Sequence, residues 1–186
     1  MVNAFPIAQL GEPVLRQPAT LIEDSQAPWV QSLIDRLLVT LHQSNGVGIA
    51  APQVAQSHRL FVVASRPNPR YPNAPLMNPT AMLNPRLISH TEDTVRDWEG
   101  CLSIPGIRGL VPRYSAIEVE YQTREGELHQ QILEGFVARI FQHELDHLNG
   151  VVFLDRLESV QDIITDQVYL QRLQTPTPQA QKSIGS

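Results

Sequence analysis

The sequence predicts an α+β fold: antiparallel strands packed around a central helix, with a further helix towards each end of the chain. Two observations carry this. Apolar residues recur at helical spacing near residues 25–44 and 136–148, with strand-like runs between them, and residues 162–173 can make a final helix. Those strand-like runs follow one another instead of alternating with helices, which argues against a parallel α/β sheet. At 186 residues the chain is long enough for one well-buried core. A single folded unit is expected over residues 1–173, and the Gln-, Thr-, Pro- and Ser-rich residues 174–186 are expected to be disordered.

Residues 10–16 read as a turn entering an extended or short helical segment. Asp24 or Ser25 can cap a helix reaching Ser44, with Val30, Leu33, Ile34, Leu37, Leu38 and Leu41 as its packing stripe. A loop of small residues follows at 45–53, and residues 60–64 read as a buried strand. Pro67, Pro69, Pro72, Pro75, Pro79 and Pro85 then predict an irregular surface excursion, a candidate lid. Residues 82–88 suit an edge strand interrupted by Pro85.

Residues 99–106 read as a turn. Residues 116–122 and 128–133 flank a turn at 124–127, the pattern of a hairpin. Phe136, Val137, Ile140, Phe141, Leu145 and Leu148 form the next helical stripe, and Asn149-Gly150 supplies a left-handed residue to close it. Residues 151–154 suit a short strand or extended stretch, and 162–173 a final helix.

Composition excludes several classes. Apolar content of 42% and charged content of 18% suit a folded globular chain. A net charge of −5 offers no basic stripe for nucleic acid and little attraction to an anionic membrane. No run approaches the ~18 apolar residues of a membrane span. The N-terminus lacks the charged and apolar regions of a signal peptide. With Cys101 as the single cysteine, no internal disulfide forms and a reducing compartment is expected.

Chemistry enters at His143-Glu144-Leu145-Asp146-His147. Histidines at i and i+4 lie on one helical face, so two imidazoles can reach one metal ion, and the glutamate between them can take a proton from a metal-bound water. Catalytic sites of this type usually have three protein ligands. A histidine ten positions after His143 would complete one known extension, but Phe153 stands there. Glu158 lies too near His147 to sit on a separate packed helix, and Asp162 and Asp166 have no supporting context. Cys101, in a turn-like segment, is the better third ligand, because a thiolate binds first-row divalent metals strongly. His42, His58, His90 and His129 have no partner at ligand spacing and read as surface or structural residues.

Three segments together resemble the peptide deformylase family. Gly46-Val47-Gly48-Ile49-Ala50-Ala51-Pro52-Gln53 is similar to its G-x-G-x-A-A-x-Q motif, Glu99-Gly100-Cys101-Leu102-Ser103 to E-G-C-L-S, and residues 143–147 to H-E-x-x-H. The likeness spans roughly residues 5–172, with the Pro-rich stretch 66–80 as an insertion.

The resemblance implies a metal-dependent hydrolase that removes the formyl group from the N-terminal formylmethionine of newly made polypeptides and releases formate. It implies Cys101, His143 and His147 as ligands of one divalent ion: ferrous iron, with zinc, nickel or cobalt able to take its place. Glu144 would be the general acid/base for a metal-bound water attacking the formyl carbon. Gln53 and the Leu102 backbone N–H would stabilise the oxyanion.

Gly46 and Gly48 would let the backbone pair with a peptide, while Val47, Phe136 and Ile140 would surround the methionine side chain. Helical spacing alone reads Phe136 and Ile140 as core. Arg108 would contact the substrate backbone. Glu99 and Arg113 would brace the cysteine turn, although two solvated charges fit the sequence nearly as well. The implied partners are formyl-methionyl nascent chains and, transiently, the ribosome. The cytoplasm is the expected location, with an organellar origin left open.

Two rivals make different demands. A zinc peptidase would depend on a downstream acid such as Asp162 and be indifferent to Cys101. A structural metal or protein-binding module would not need Glu144 at all.

Overall fold

In a computed structural model, described over residues 3–174, the chain folds into two antiparallel sheets and three α-helices. The first sheet has the order β1-β2-β3-β6-β7, formed by β1 (Gly48–Ala50), β2 (Leu60–Val63), β3 (Thr80–His90), β6 (Ala116–Gln122) and β7 (Leu128–Glu134). The second has the order β4-β5-β8, from β4 (Thr94–Cys101), β5 (Ile104–Tyr114) and β8 (Ile163–Thr165). The α-helices are α1 (Pro28–Gln43), α2 (Gly135–Leu148) and α3 (Asp166–Gln174). The α+β architecture agrees with expectation.

The four residues of β2 are all buried because helices cover both of its faces. Phe61 and Val63 join Ala138, Ile140, Phe141 and Leu148 of α2 in one core cluster, where Phe61 and Phe141 meet edge to face at 5.2 Å. Leu60 and Val62 join Ile34, Leu37 and Leu41 of α1 in a second. Two-sided burial explains a continuous apolar run in place of alternation.

Helix α1 starts later than its sequence suggested. Pro28 opens it after an extended Ala27, while the Asp24 carboxylate accepts the Gln26 N–H at 2.9 Å in a turn and caps nothing. The small-residue loop contains β1 and a 3-10 turn, Ala51–Val54.

Strand β3 is not at an edge; it lies between β2 and β6. Pro85 is tolerated because the register shifts between Leu83 and Arg86, where Asn84 takes a positive φ of 49°. The Asn84 side chain bonds the backbone of Ile22 in both directions, at 2.9 and 2.8 Å.

Residues 99–106 are not simply a turn. They sit in the β4–β5 hairpin, whose reversal is confined to Leu102 and Ser103. Its strand character was hidden because β5 carries Pro105, Gly106, Gly109 and Pro112, and because Arg108 and Arg113 are among its buried residues. An inward face made partly of arginine leaves no apolar alternation to read.

The β6–β7 hairpin forms as expected, with Ala116 opposite Glu134 and Gln122 opposite Leu128. Gly150 closes the turn after α2 at φ 73°, where a β-carbon would strike the Arg16 backbone at 2.8 Å. Residues 151–154 do not form a strand; Phe153–Arg156 is a 3-10 turn packed through Phe153 on Ile104 and Val111. The expected final helix is shorter, because Ile163, Ile164 and Thr165 pair with Gly109, Arg108 and Ile107 before α3 begins. Of the tail expected to be disordered, residues 175–186 lie outside the described residues. No described helix is long and apolar enough to cross a membrane.

Candidate metal centre

Helix α2 sets His143 and His147 one turn apart, with ring centroids 5.1 Å from each other. Strand β4 ends on Cys101, whose Sγ lies 3.3 Å from His147 Nε2. One ligand atom from each of these three residues falls within 4.8 Å of the others, a grouping of metal-binding side chains with no second example among the described residues. Asp162 and Asp166 are elsewhere, paired with Arg96 and Arg108. His42, His58, His90 and His129 also lie outside this group. His90 stacks on Tyr114, and His58 and His129 pack against Trp29 and Tyr121.

A buried charge network orients the histidine face. Glu99, 4% exposed, accepts hydrogen bonds from Arg113 Nε and Nη2 at 2.9 and 3.0 Å and from Arg139 Nη1 at 2.9 Å. Its other contact is His143 Nδ1 at 2.9 Å, which leaves Nε2 as the nitrogen free to ligate. Arg113 also donates to Asp146 at 2.6 Å, and Asp146 accepts from Arg156 as well. Glu99 and Arg113 are therefore buried partners and not solvated charges.

Burial alone would raise the Glu99 carboxyl. The charge of Arg113 and the bonds from His143 and Arg113 outweigh it and hold the group below the usual carboxylate range. Burial would lower His143, but Cys101 and Glu99 beside it push its imidazole well above the usual value. His147 is held well below that value by burial and by its neighbour His143.

Glu144 points to the same place. It is 3% exposed, its Oε2 has no hydrogen-bond partner, and burial pushes its carboxyl up to about 7. The site leaves room for it at Gly48, where a β-carbon would stand 2.3 Å from Glu144 Oε1. Gln53 is 1% exposed and not a solvated loop amide. Its carbonyl oxygen accepts the Ala50 N–H at 2.8 Å, which turns the amide nitrogen towards Cys101 Sγ and Ser103 Oγ, each at 3.3 Å.

One cavity is lined by Gly46, Val47, Gly48, Gln53, Cys101, Leu102, Phe136, Ile140, His143 and Glu144. Of the residues expected at the site, His147 and Arg108 are not on its surface. His147 is fully buried behind it. Arg108 departs from expectation: it is 1% exposed and donates to Tyr71 Oη and Asp166 Oδ1, both at 2.8 Å, so its guanidinium is not free for a substrate backbone.

Besides Arg139, the lining includes Arg70, Tyr71 and Trp98, which had not been anticipated. Nothing local marks them. Arg139 was also missed, although a cation four residues before His143 in an apolar helix is a readable sign of a buried partner.

A thiol and two imidazoles, backed by a carboxylate on one ring and a second carboxyl with an unpartnered oxygen alongside, suit a divalent transition metal. A model of the polypeptide deformylase family matches residues 4–162. The chain is 62% identical over 165 residues to peptide deformylase 2 of Nostoc sp., covering 89% of this chain and 92% of that one. It is similar in structure to the class I type b peptide deformylase of Acinetobacter baumannii bound to Met-Ala-Ser, with TM-score 0.82 and 44% identity over 84% of this chain and 100% of that one. It is also similar to a Synechococcus elongatus peptide deformylase in complex with actinonin, with TM-score 0.75 and 33% identity over 90% of this chain and 82% of that one.

Proposed function

The chain belongs to the peptide deformylase family, and from that premise we propose that it hydrolyses the formyl group from the N-terminal formylmethionine of newly made polypeptides, releasing formate. The observation that carries this is the clustering of Cys101, His143 and His147 beside a buried, unpartnered Glu144 oxygen.

In this reading residues 1–173 act as one catalytic unit, and Cys101, His143 and His147 hold one divalent ion. Ferrous iron is the proposed native metal, with zinc, nickel and cobalt as alternatives. When bound, the ion supplies Lewis-acid polarisation of the formyl oxygen and activation of water.

The protein's own groups do the rest. Glu144 accepts the proton of the attacking water and delivers it to the departing amine; a carboxyl pushed up to about 7 suits both roles near neutral pH. The Gln53 amide and the Leu102 N–H donate to the oxygen that gains charge, each such donor being worth about 3 kcal/mol of barrier. The Gln53 donor is supported by its orientation, since Ala50 engages the carbonyl end. Val47, Phe136 and Ile140 surround the methionine side chain, and the backbone of Gly46 and Gly48 passes close enough to pair with the peptide. Substrate chemistry also supports a cytoplasmic enzyme that meets nascent chains in transient contact with the ribosome.

The test is anaerobic purification with metal analysis, followed by a formate assay on formyl-Met-Ala-Ser. One metal ion per chain and formate release are expected, with both lost in Cys101→Ala. Release that persists in Cys101→Ala and disappears in Asp162→Ala would instead favour a peptidase-type site.

A further inference from the structure

Tyr71 belongs to the Pro-rich segment, yet it lines the same cavity as Cys101 and Glu144. Its ring leans on Phe136 with centroids 4.9 Å apart, and Phe136 is a wall of the methionine pocket in the reading above. Within the segment a bridge joins Asn68 and Tyr71. Arg70 ties the segment to the Ser44 and Asn45 carbonyls and Ser65 ties it to Pro75, while the Tyr71 ring itself is anchored from the other end of the chain.

Arg108 Nη1 donates to Tyr71 Oη at 2.8 Å, while Arg108 Nε donates to Asp166 Oδ1 at 2.8 Å. The guanidinium also lies 4.4 Å from the centroid of the Tyr169 ring. Tyr169 Oη in turn donates to the Arg70 carbonyl at 3.0 Å. Asp166 and Tyr169 sit on α3, which begins after residue 162, where the family match stops.

We propose that Tyr71 is a specificity-determining residue, the aromatic wall that selects a long unbranched first side chain, and that Arg108, Asp166 and Tyr169 are positioning residues that hold it there. This rests on the deformylase reading. An aromatic face against Phe136 favours a flexible thioether over a methyl group, through area and through sulfur–ring contact. The Pro-rich segment is thus a clamped wall and not a free lid. Residues beyond the matched stretch 4–162 tune the pocket.

The experiment uses the full, metal-loaded chain with formyl-Met-Ala-Ser and formyl-Ala-Ala-Ser. Tyr71→Ala is expected to raise KM for the methionine substrate about ten-fold, with the loss carried mainly by KM, and to lower the Met-over-Ala preference by a similar factor. Its Kd for the product Met-Ala-Ser, measured by calorimetry, should rise in parallel.

Asp166→Ala should reproduce the pattern in weaker form. Asp166→Asn, which keeps an acceptor for Arg108, should recover most of it. Tyr71→Phe retains the ring and loses only the anchor, so it tests the clamp, whereas Tyr71→Leu, which fills the space without a ring, tests the wall if the alanine variant is poorly folded.

Unchanged KM, preference and product affinity in Tyr71→Ala, or in Tyr71→Leu where the alanine variant fails to fold, overturn the wall, and unchanged values in Tyr71→Phe and Asp166→Ala together overturn the clamp, in each case leaving the deformylase reading intact. Failure of the unaltered chain to release formate from either substrate overturns both.

Discussion

A β-carbon on Gly48 would stand 2.3 Å from Glu144 Oε1 and 2.8 Å from Ile140 Cγ2. The missing side chain at Gly48 is therefore what lets a carboxylate occupy the space between β1 and the cavity. Gly48→Ala should displace Glu144 and cut kcat about 100-fold while the chain still binds metal. Overpacking costs about 1–3 kcal/mol of stability, so a melting curve should show a folded but weakened protein. Metal analysis and formate kinetics on the same preparation separate the two effects.

Glu144→Gln keeps the shape of the side chain and removes its ability to accept a proton. Metal content should match the parent chain, and kcat should fall by about 10²–10⁴-fold. A structural or purely binding role for the metal predicts no functional loss in this variant, so retained turnover would sink the assignment.

Gln53→Glu separates anchoring from catalysis. A glutamate can still accept the Ala50 N–H that Gln53 accepts at 2.8 Å, but it has no N–H to offer an oxyanion. Circular dichroism should keep the native pattern, with melting lowered only by the cost of a buried carboxyl, whereas kcat should drop by about 10²–10³-fold. Equal loss of fold and activity would mean that the residue matters only as a brace.

Glu99 predicts a defined acid response. Its folded-state carboxyl lies below the ordinary 4.5, so its ionised form is favoured by folding. A depressed carboxylate contributes its stability in full above the unfolded value, and that contribution fades as pH falls below about 4.5 towards the folded value. Urea unfolding of the chelated protein between pH 7 and pH 3 should show this loss. In Glu99→Gln the dependence should flatten, with an overall cost of about 3–5 kcal/mol because Arg139 is left buried without a carboxylate and Arg113 keeps only Asp146. Metal affinity should fall about 10–100-fold as His143 loses its orienting acceptor.

Much of this molecule is readable because it is local. The hairpin over β6 and β7 and the stripe of α2 follow from side-chain periods of two and 3.6, which neighbouring residues alone satisfy. Strand β5 was not readable, because the groups it buries include Arg108 and Arg113, and only their distant carboxylate partners make that burial tolerable. Pro85 suggested an edge strand, yet a bulge beside Asn84 absorbs its missing N–H and lets β3 run through the middle of the sheet.

The facing of His143 and His147 is intrinsic to their spacing, one helical turn in any context. Their approach to Cys101, 42 and 46 residues earlier in the chain, needs the β4–β5 hairpin to deliver a sulfur to α2. The fate of Arg108 shows the same division. Its residue type promised a contact with substrate, but α3 supplies Asp166 and Tyr169, and a buried guanidinium bonds to whatever acceptors the fold brings within reach. Chemical identity and short-range geometry are written along the chain, whereas pairing between distant groups is decided by which surfaces are buried against each other.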